Sequence, residues 1–567
     1  MTPLVHLEAV YGNQATEIMA RIDELRAEFE SEFQGASGSV GHTERWNEQD
    51  VVLITYGDQV QKAGSPTLQT FHEFLTKHKL NEVINTVHFL PFFPYSSDDG
   101  FSVIDYLAID PNLGDWPDVA GIGEDFSLMF DFVVNHVSQH SAWYQHFLAG
   151  KPPYDRFFHV VDPSVDLSQV TRPRSLPLLT PAQTSGGEKH VWTTFSDDQI
   201  DVNFSEPDVI VEMTRVLLEY VRRGARIIRL DAIAYLWKEI GTSCIHLPQT
   251  HSLIKFLRAL LDDVAPHVIL LTETNVPHQE NVSYFGDGDE AHMVYQFSLP
   301  PLLLDAVHQQ DASFLMSWLD GLSEPPAGAT YFNFTASHDG VGVRPLEGLI
   351  EQQRFDQLMT AIRNNDGLVS TRRTADGNDL PYELNVAYVD AVGKDADPDV
   401  QAKRFMATQA VMLSLRGVPG VYFHSLVGSQ NDLTGVEASG QSRRINRRKY
   451  QLDEIDGALN DDSSLQSMIY ARYRELLSCR IQQPAFHPDA PQRALLGGPK
   501  PVLAIERTSL DGGQRIIVLV NLGREAVECD VSRWTTARVL VDLISDESHN
   551  THVPMEAYQA VWLDELL

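Results

Sequence analysis

Short apolar runs that end in a charged or polar residue recur along this 567-residue chain. They are Val51-Val-Leu-Ile-Thr-Tyr-Gly-Asp58, Thr86-Val-His-Phe-Leu-Pro91, Phe126-Ser-Leu-Met-Phe-Asp-Phe-Val-Val-Asn-His136, Arg226-Ile-Ile-Arg-Leu-Asp231, Val268-Ile-Leu-Leu-Thr-Glu273, Thr330-Tyr-Phe-Asn-Phe-Thr-Ala-Ser-His-Asp339 and Gly420-Val-Tyr-Phe-His424. Amphipathic stretches at Leu68–His78, Val209–Arg223, Leu253–Val264 and Gln401–Arg416 lie between them. Buried strands alternating with such helices make parallel βαβ units. About eight strands over roughly 420 residues predict an α/β chain built on a (β/α)8 TIM barrel. Beyond a helix at about 465–480 the pattern changes. Val502-Leu-Ala-Ile-Glu506, Arg515-Ile-Ile-Val-Leu-Val-Asn-Leu522 and Ala537-Arg-Val-Leu-Val-Asp542 alternate with turn residues, as in a C-terminal antiparallel β domain. The expected division is 1–136, the first part of the barrel with an N-terminal helix; 137–205, an inserted loop-rich domain; 206–480, the rest of the barrel with an inserted helical segment at about 295–330; and 481–567, the β domain.

Charge removes several functions. The chain has 43 basic and 78 acidic residues, a net charge of −35. Such a surface repels nucleic acid and anionic lipid. No apolar run approaches the 18 residues of a membrane span. The start, Met1-Thr-Pro-Leu-Val-His6, lacks a basic region followed by an apolar one. The three cysteines, Cys244, Cys479 and Cys529, are widely spaced, which fits a reducing compartment. A cytoplasmic monomer or homodimer acting on a small molecule is expected. An anionic substrate would need a local cluster of arginines against the global field.

In a barrel of this kind the chemistry sits at the C-terminal ends of the strands. Here those ends carry Asp58, Asp131 with Asn135 and His136, Arg229 with Asp231, Glu273, and His338 with Asp339. Arg229 and Asp231 leave the same face of their strand. Alone, that pair reads as a buried ion pair, Asp339-Gly340 as a turn, and each histidine as a satisfied core residue. Convergence from five strands points instead to one polar site.

Asp131-Phe-Val-Val-Asn-His136, Ile228-Arg-Leu-Asp-Ala232, Leu270-Leu-Thr-Glu273 and Phe334-Thr-Ala-Ser-His-Asp339 resemble, in order, the motifs of the α-amylase superfamily of retaining α-glucoside enzymes. The resemblance implies that Asp231 is the nucleophile, Glu273 the acid/base and Asp339 the carboxylate that stabilises the transition state. It implies sugar contacts from Asp58, Tyr106, His136, Gln199, Arg229, Tyr235, His338 and Arg447. Retention needs one carboxylate to attack and one acid to protonate the leaving oxygen. Arg229 beside Asp231 would favour its ionised form. Asn135 and Asp131 stand where some amylases build a calcium site, but a full oxygen cage is lacking, so neither metal nor organic cofactor is expected.

Further segments are similar to the sucrose phosphorylase branch: Ile54-Thr-Tyr-Gly-Asp58, His88-Phe-Leu-Pro-Phe-Phe-Pro94, Arg172-Pro-Arg174, Gly241-Thr-Ser-Cys244 and Ile445-Asn-Arg447. That branch passes a glucosyl group between a small acceptor and inorganic phosphate through a covalent intermediate, with α-glucose 1-phosphate as product. Arg172, Arg174, Arg443 and Arg447 would then serve phosphate through forked hydrogen bonds. Asn275, Tyr382 and Glu383 are expected at the acceptor side, and Arg372-Arg373 to meet an anion or solvent. Glu273-Thr-Asn275, Tyr106 and the Leu380–Asn385 loop look more like phosphorylases of glucosylglycerate, glucosylglycerol or sucrose 6′-phosphate than of sucrose. The alternatives are a hydrolase or transglucosidase with the same acids, and a non-catalytic sugar-binding barrel.

Overall fold

The structure, a computed structural model, describes residues 2–33, 45–174, 176–373 and 379–565. Residues 34–44, part of the stretch read as helical, lie outside them. Eight parallel strands close into a barrel: β1 (Val52–Thr55), β2 (Thr86–Phe89), β3 (Ser127–Phe132), β4 (Ala225–Leu230), β5 (Ile269–Thr272), β6 (Met293–Tyr295), β7 (Thr330–Phe334) and β8 (Val418–Tyr422). Each strand pairs with its neighbours in sequence, and β8 closes on β1. Residues of β1, β2 and β5 are all buried, because helices cover the outside and side chains fill the inside.

Seven of these strands are the apolar runs of the sequence. The exception, β6, has three residues and leaves no period to read. The helices expected near 295–330 are Leu299–Gln309 and Ser313–Asp320, and they form the ordinary link between β6 and β7. The long insertion comes later, between β7 and β8. There Val341–Gly342, Leu368–Arg373 and Asp379–Asn385 make a three-stranded antiparallel sheet, so the expected Leu380–Asn385 loop is a strand. The 137–205 segment is more ordered than its composition suggested. It holds a hairpin, Leu179–Thr184 with Gly187–Trp192, whose mostly unburied strands show no apolar alternation. The C-terminal region forms a six-stranded sheet with antiparallel pairing and a separate two-stranded one.

One register detail positions the chemistry. Between β3 and β4, Leu128 pairs with Ala225 but Met129 pairs with Ile227. This one-residue step at Arg226 brings Asp131 opposite Arg229 instead of Ile228. A bulge that shifts register by one exchanges the side chains on each face.

Candidate active site

The site is built from the ends of β3, β4, β5 and β7. Arg229 is 2% exposed. Its guanidinium bonds Asp131, donates to Asp231 Oδ1 at 2.8 Å and lies 3.9 Å from Glu273 Oε2. Burial disfavours its charge, and the surrounding carboxylates overcome that cost. Asp131 also bonds His88 Nε2 at 2.8 Å. Ala232, next to Asp231, is left-handed at φ 50°. That turn aims its N–H at Glu273 Oε2, 3.1 Å away. A left-handed non-glycine residue stores strain that suits a site residue.

Burial pushes the Asp231 and Glu273 carboxyls both upward, and each raises the other or feels a further carboxylate. Two coupled, buried carboxyls of this kind tend to hold one proton between them. Arg229 bonds Asp231 directly and Glu273 only at longer range, so the negative charge rests on Asp231 and the proton on Glu273.

Asp339 faces them. Arg443 Nη1 lies 2.6 Å from its Oδ1 and His338 Nε2 3.4 Å. Burial pushes Asp339 up, but Arg443, His338 and Arg447 outweigh it and hold the carboxyl well below its ordinary range. His338 stacks on Phe101, with ring centroids 4.6 Å apart, and burial lowers it to about 3. His136 is lowered too, first by burial, so both imidazoles are neutral. Arg443 also grips Glu383 with two hydrogen bonds of 3.0 and 2.6 Å. Glu383 in turn accepts from the Gly340 N–H at 3.1 Å.

Asp231, Glu273, His338, Asp339, Glu383 and Arg443 line a cavity of about 70 Å³, with Asp98, His136, Arg174, Gln199, Asn275 and Tyr382.

Several residues singled out in the sequence stand elsewhere. Asp58 lies off the cavity, bonded to Lys449. Tyr106 sits behind His136, donating to the carbonyls of Val133 at 2.6 Å and His136 at 3.0 Å. Tyr235 is a second layer, edge-on to Phe195 at 5.4 Å. Arg172 bends back to the Leu176 carbonyl. Arg447 is 1% exposed and spans His338 O at 2.7 Å and Asp99 Oδ2 at 2.7 Å. These bonds engage Nε and Nη1, while Nη2 lies 3.6 Å from Asp339 Oδ1. Arg443 and Arg174 are the arginines that face the cavity.

Sequence reading missed Asp98 and Asp99. Asp98-Asp-Gly-Phe101 looks like an ordinary turn. In the fold Asp98, Asp99 and Gly100 are all left-handed, at φ 52°, 49° and 112°. A Cβ on Gly100 would fall 2.6 Å from the Pro91 carbonyl oxygen. The strained turn delivers Asp98 to Arg174 at 3.0 Å and Asp99 to Arg447.

Asn135 belongs to a buried polar knot. Lys238 Nζ lies 2.7 Å from Asn135 Oδ1, 2.6 Å from Tyr235 O and 2.6 Å from Asp201 Oδ2. An ammonium thus stands among the oxygens weighed for calcium, while Asp131 is taken up by Arg229 and His88. Lys238→Met leaves Asp201, which is 0% exposed, without its cation. The expected cost is about 3–5 kcal/mol, read as a lower Tm by calorimetry; an unchanged Tm would rule out this role.

Comparison with known proteins agrees with this geometry. The α-amylase catalytic-domain family matches residues 80–331. A glucosylglycerate phosphorylase of Allomeiothermus silvanus is 49% identical, over 87% of this chain and 88% of that protein. The glucosylglycerate phosphorylase of Escherichia coli is 43% identical, over 91% and 92%. Among solved structures, sucrose 6F-phosphate phosphorylase from Thermoanaerobacter thermosaccharolyticum superposes with a TM-score of 0.73 at 27% identity, over 84% of this chain and 94% of that one. Strand-end acids, barrel topology and this level of identity agree: the chain belongs to the α-amylase family of retaining α-glucoside enzymes, within its branch of glucoside phosphorylases.

Proposed function

We propose that the chain is a glucosylglycerate phosphorylase, exchanging glycerate for inorganic phosphate on an α-glucosyl group. The observation that carries this is one small cavity that brings Asp231, Glu273 and Asp339 together with two arginines, Arg174 and Arg443. The names of the relatives supply the acceptor.

Asp231 attacks the anomeric carbon while Glu273 gives its proton to the departing glycerate oxygen. The products are a β-glucosyl ester on Asp231 and free glycerate. Phosphate then attacks the same carbon and gives a proton to Glu273. The ester bond breaks, and two inversions leave α-glucose 1-phosphate. Both carboxyls lie within 3.9 Å of one guanidinium, in keeping with the close pair that retention needs. Asp339, kept ionised, faces the charge that develops at the anomeric carbon. Asp98, His136, Gln199 and His338 hold the glucose hydroxyls.

Among the described residues Arg174 has a single carboxylate partner, Asp98, and its side chain is 29% exposed. It is therefore free to add a charge-assisted hydrogen bond to phosphate. Arg174→Gln is expected to raise KM for phosphate roughly 10- to 100-fold. The cytoplasm is the site of action, since all three cysteines are free thiols. The test supplies glucosylglycerate and varies phosphate. Glucose 1-phosphate should be the main product; free glucose as the main product at millimolar phosphate would leave a hydrolase.

A further inference from the structure

The arginines of the site are each matched by acids that are at most 29% exposed. Arg229 has Asp131 and Asp231, Arg443 has Asp339 and Glu383, and Arg447 has Asp99. Two arginines of the neighbouring cleft, Arg344 and Arg372, have only a half-exposed acid among the described residues. Arg344 follows the Val341–Gly342 strand, which packs so closely on Asn275 that a Cβ on Gly342 would fall 2.4 Å from Asn275 Oδ1. Asn275 lines the cavity, and its buried Oδ1 has no hydrogen-bond partner among the described residues. The Arg344 side chain is 16% exposed, and its Nε is buried with no hydrogen-bond partner. Arg372 pairs with Leu380, two residues before Tyr382 of the cavity wall.

Among the described residues one carboxylate opposes both guanidinium groups. Glu347 lies 3.8 Å from Arg344 and 3.3 Å from Arg372, and is itself 51% exposed. Both arginines act electrostatically on the Tyr235 hydroxyl, which also feels Glu273 and Tyr382. They line a cleft of about 880 Å³ that includes Pro381, while the next residue, Tyr382, lines the cavity. Two guanidinium groups thus meet one half-exposed carboxylate next to the Tyr382 wall of the cavity. An unmatched, partly desolvated cation of this kind favours an anion through forked, charge-assisted hydrogen bonds.

We propose that Arg344, assisted by Arg372, reads the carboxylate of an acidic acceptor and so determines acceptor specificity. The ligand class is a small hydroxy acid whose carboxylate lies one or two carbons from the glycosidic oxygen. This rests on the glucosylglycerate reading, and the test separates the two. Wild type, Arg344→Gln and Arg372→Gln are assayed in the synthetic direction with glucose 1-phosphate, using glycerate and uncharged glycerol as acceptors. Wild type should prefer glycerate. Each variant should lose roughly 10- to 100-fold in kcat/KM for glycerate, mostly in KM, with the glycerol reaction little changed. Arg344→Lys should recover part of the loss. If Arg344→Gln loses both reactions through misfolding, the more exposed Arg372 decides. A wild type that uses glycerate, with variants that keep its ratio to glycerol, overturns the assignment of these arginines alone. A wild type that ignores glycerate overturns the acceptor reading and this inference with it.

Discussion

Asp231→Asn abolishes turnover in both directions, with an expected loss of roughly 10,000-fold or more in kcat. The amide keeps the shape and the Arg229 contact but cannot attack the anomeric carbon. Glu273→Gln should behave differently. It removes proton transfer, worth about 100- to 10,000-fold for a poor leaving group such as glycerate. A fluoride leaving group needs no proton, so α-glucosyl fluoride should still form the ester on Glu273→Gln. Mass spectrometry would find a covalent glucosyl adduct on that variant and none on Asp231→Asn. Adduct on both, or equal loss with fluoride and glycerate substrates, would reverse or remove the two roles. The pH profile carries the same sign. Burial raises Glu273, and the acid form does the work. kcat for glucosylglycerate should fall as pH rises through that raised value, while ester formation from the fluoride should lack this limb.

Arg229→Met should cost the most stability of any single change at the site. Asp131, at 0% exposure, and Asp231, at 7%, both depend on this cation. Removing one partner of a buried pair costs about 3–5 kcal/mol, and a typical native margin is about 5–15 kcal/mol. The effect should depend on pH. In the wild type, burial raises Asp131 but Arg229 and His88 hold it below its ordinary value. Its contribution is then present above the unfolded value of about 3.9 and is lost as pH falls through the lower folded one. In the variant the same carboxyl, buried without Arg229, is raised, so its penalty is greatest at high pH and is relieved on acidification. The gap in Tm between the two proteins should therefore shrink below about pH 4. A gap that stays constant with pH would place the cost in packing instead.

The three acids were legible because their positions follow from local rules. A strand has a period of two, and a parallel barrel brings the same end of every strand to one face. Asp231, Glu273 and Asp339 are therefore positioned by their own strands, and the order of their motifs is visible in one dimension. The cations were not legible in this way. Arg443 and Arg447 stand in one short loop with equal chemistry in the sequence. Only Arg443 reaches the cavity, because Arg447 is drawn under the wall by Asp99, 348 positions away. Asp98 and Asp99 looked like a turn because nothing local reports that three left-handed residues aim them inward. Asp58 and Tyr106 showed motif positions but not facing direction, which Lys449 and the carbonyls around His136 determine.

The sequence by itself determined the fold class, seven of eight barrel strands and the acids at their ends, since each depends on neighbours within a few residues. The tertiary structure decided which arginines line the cavity, and how Asp131 comes to face Arg229 through a one-residue register step. Those features depend on pairing buried charges across distant segments. Such pairing is dictated by desolvation in three dimensions and leaves no period in the chain.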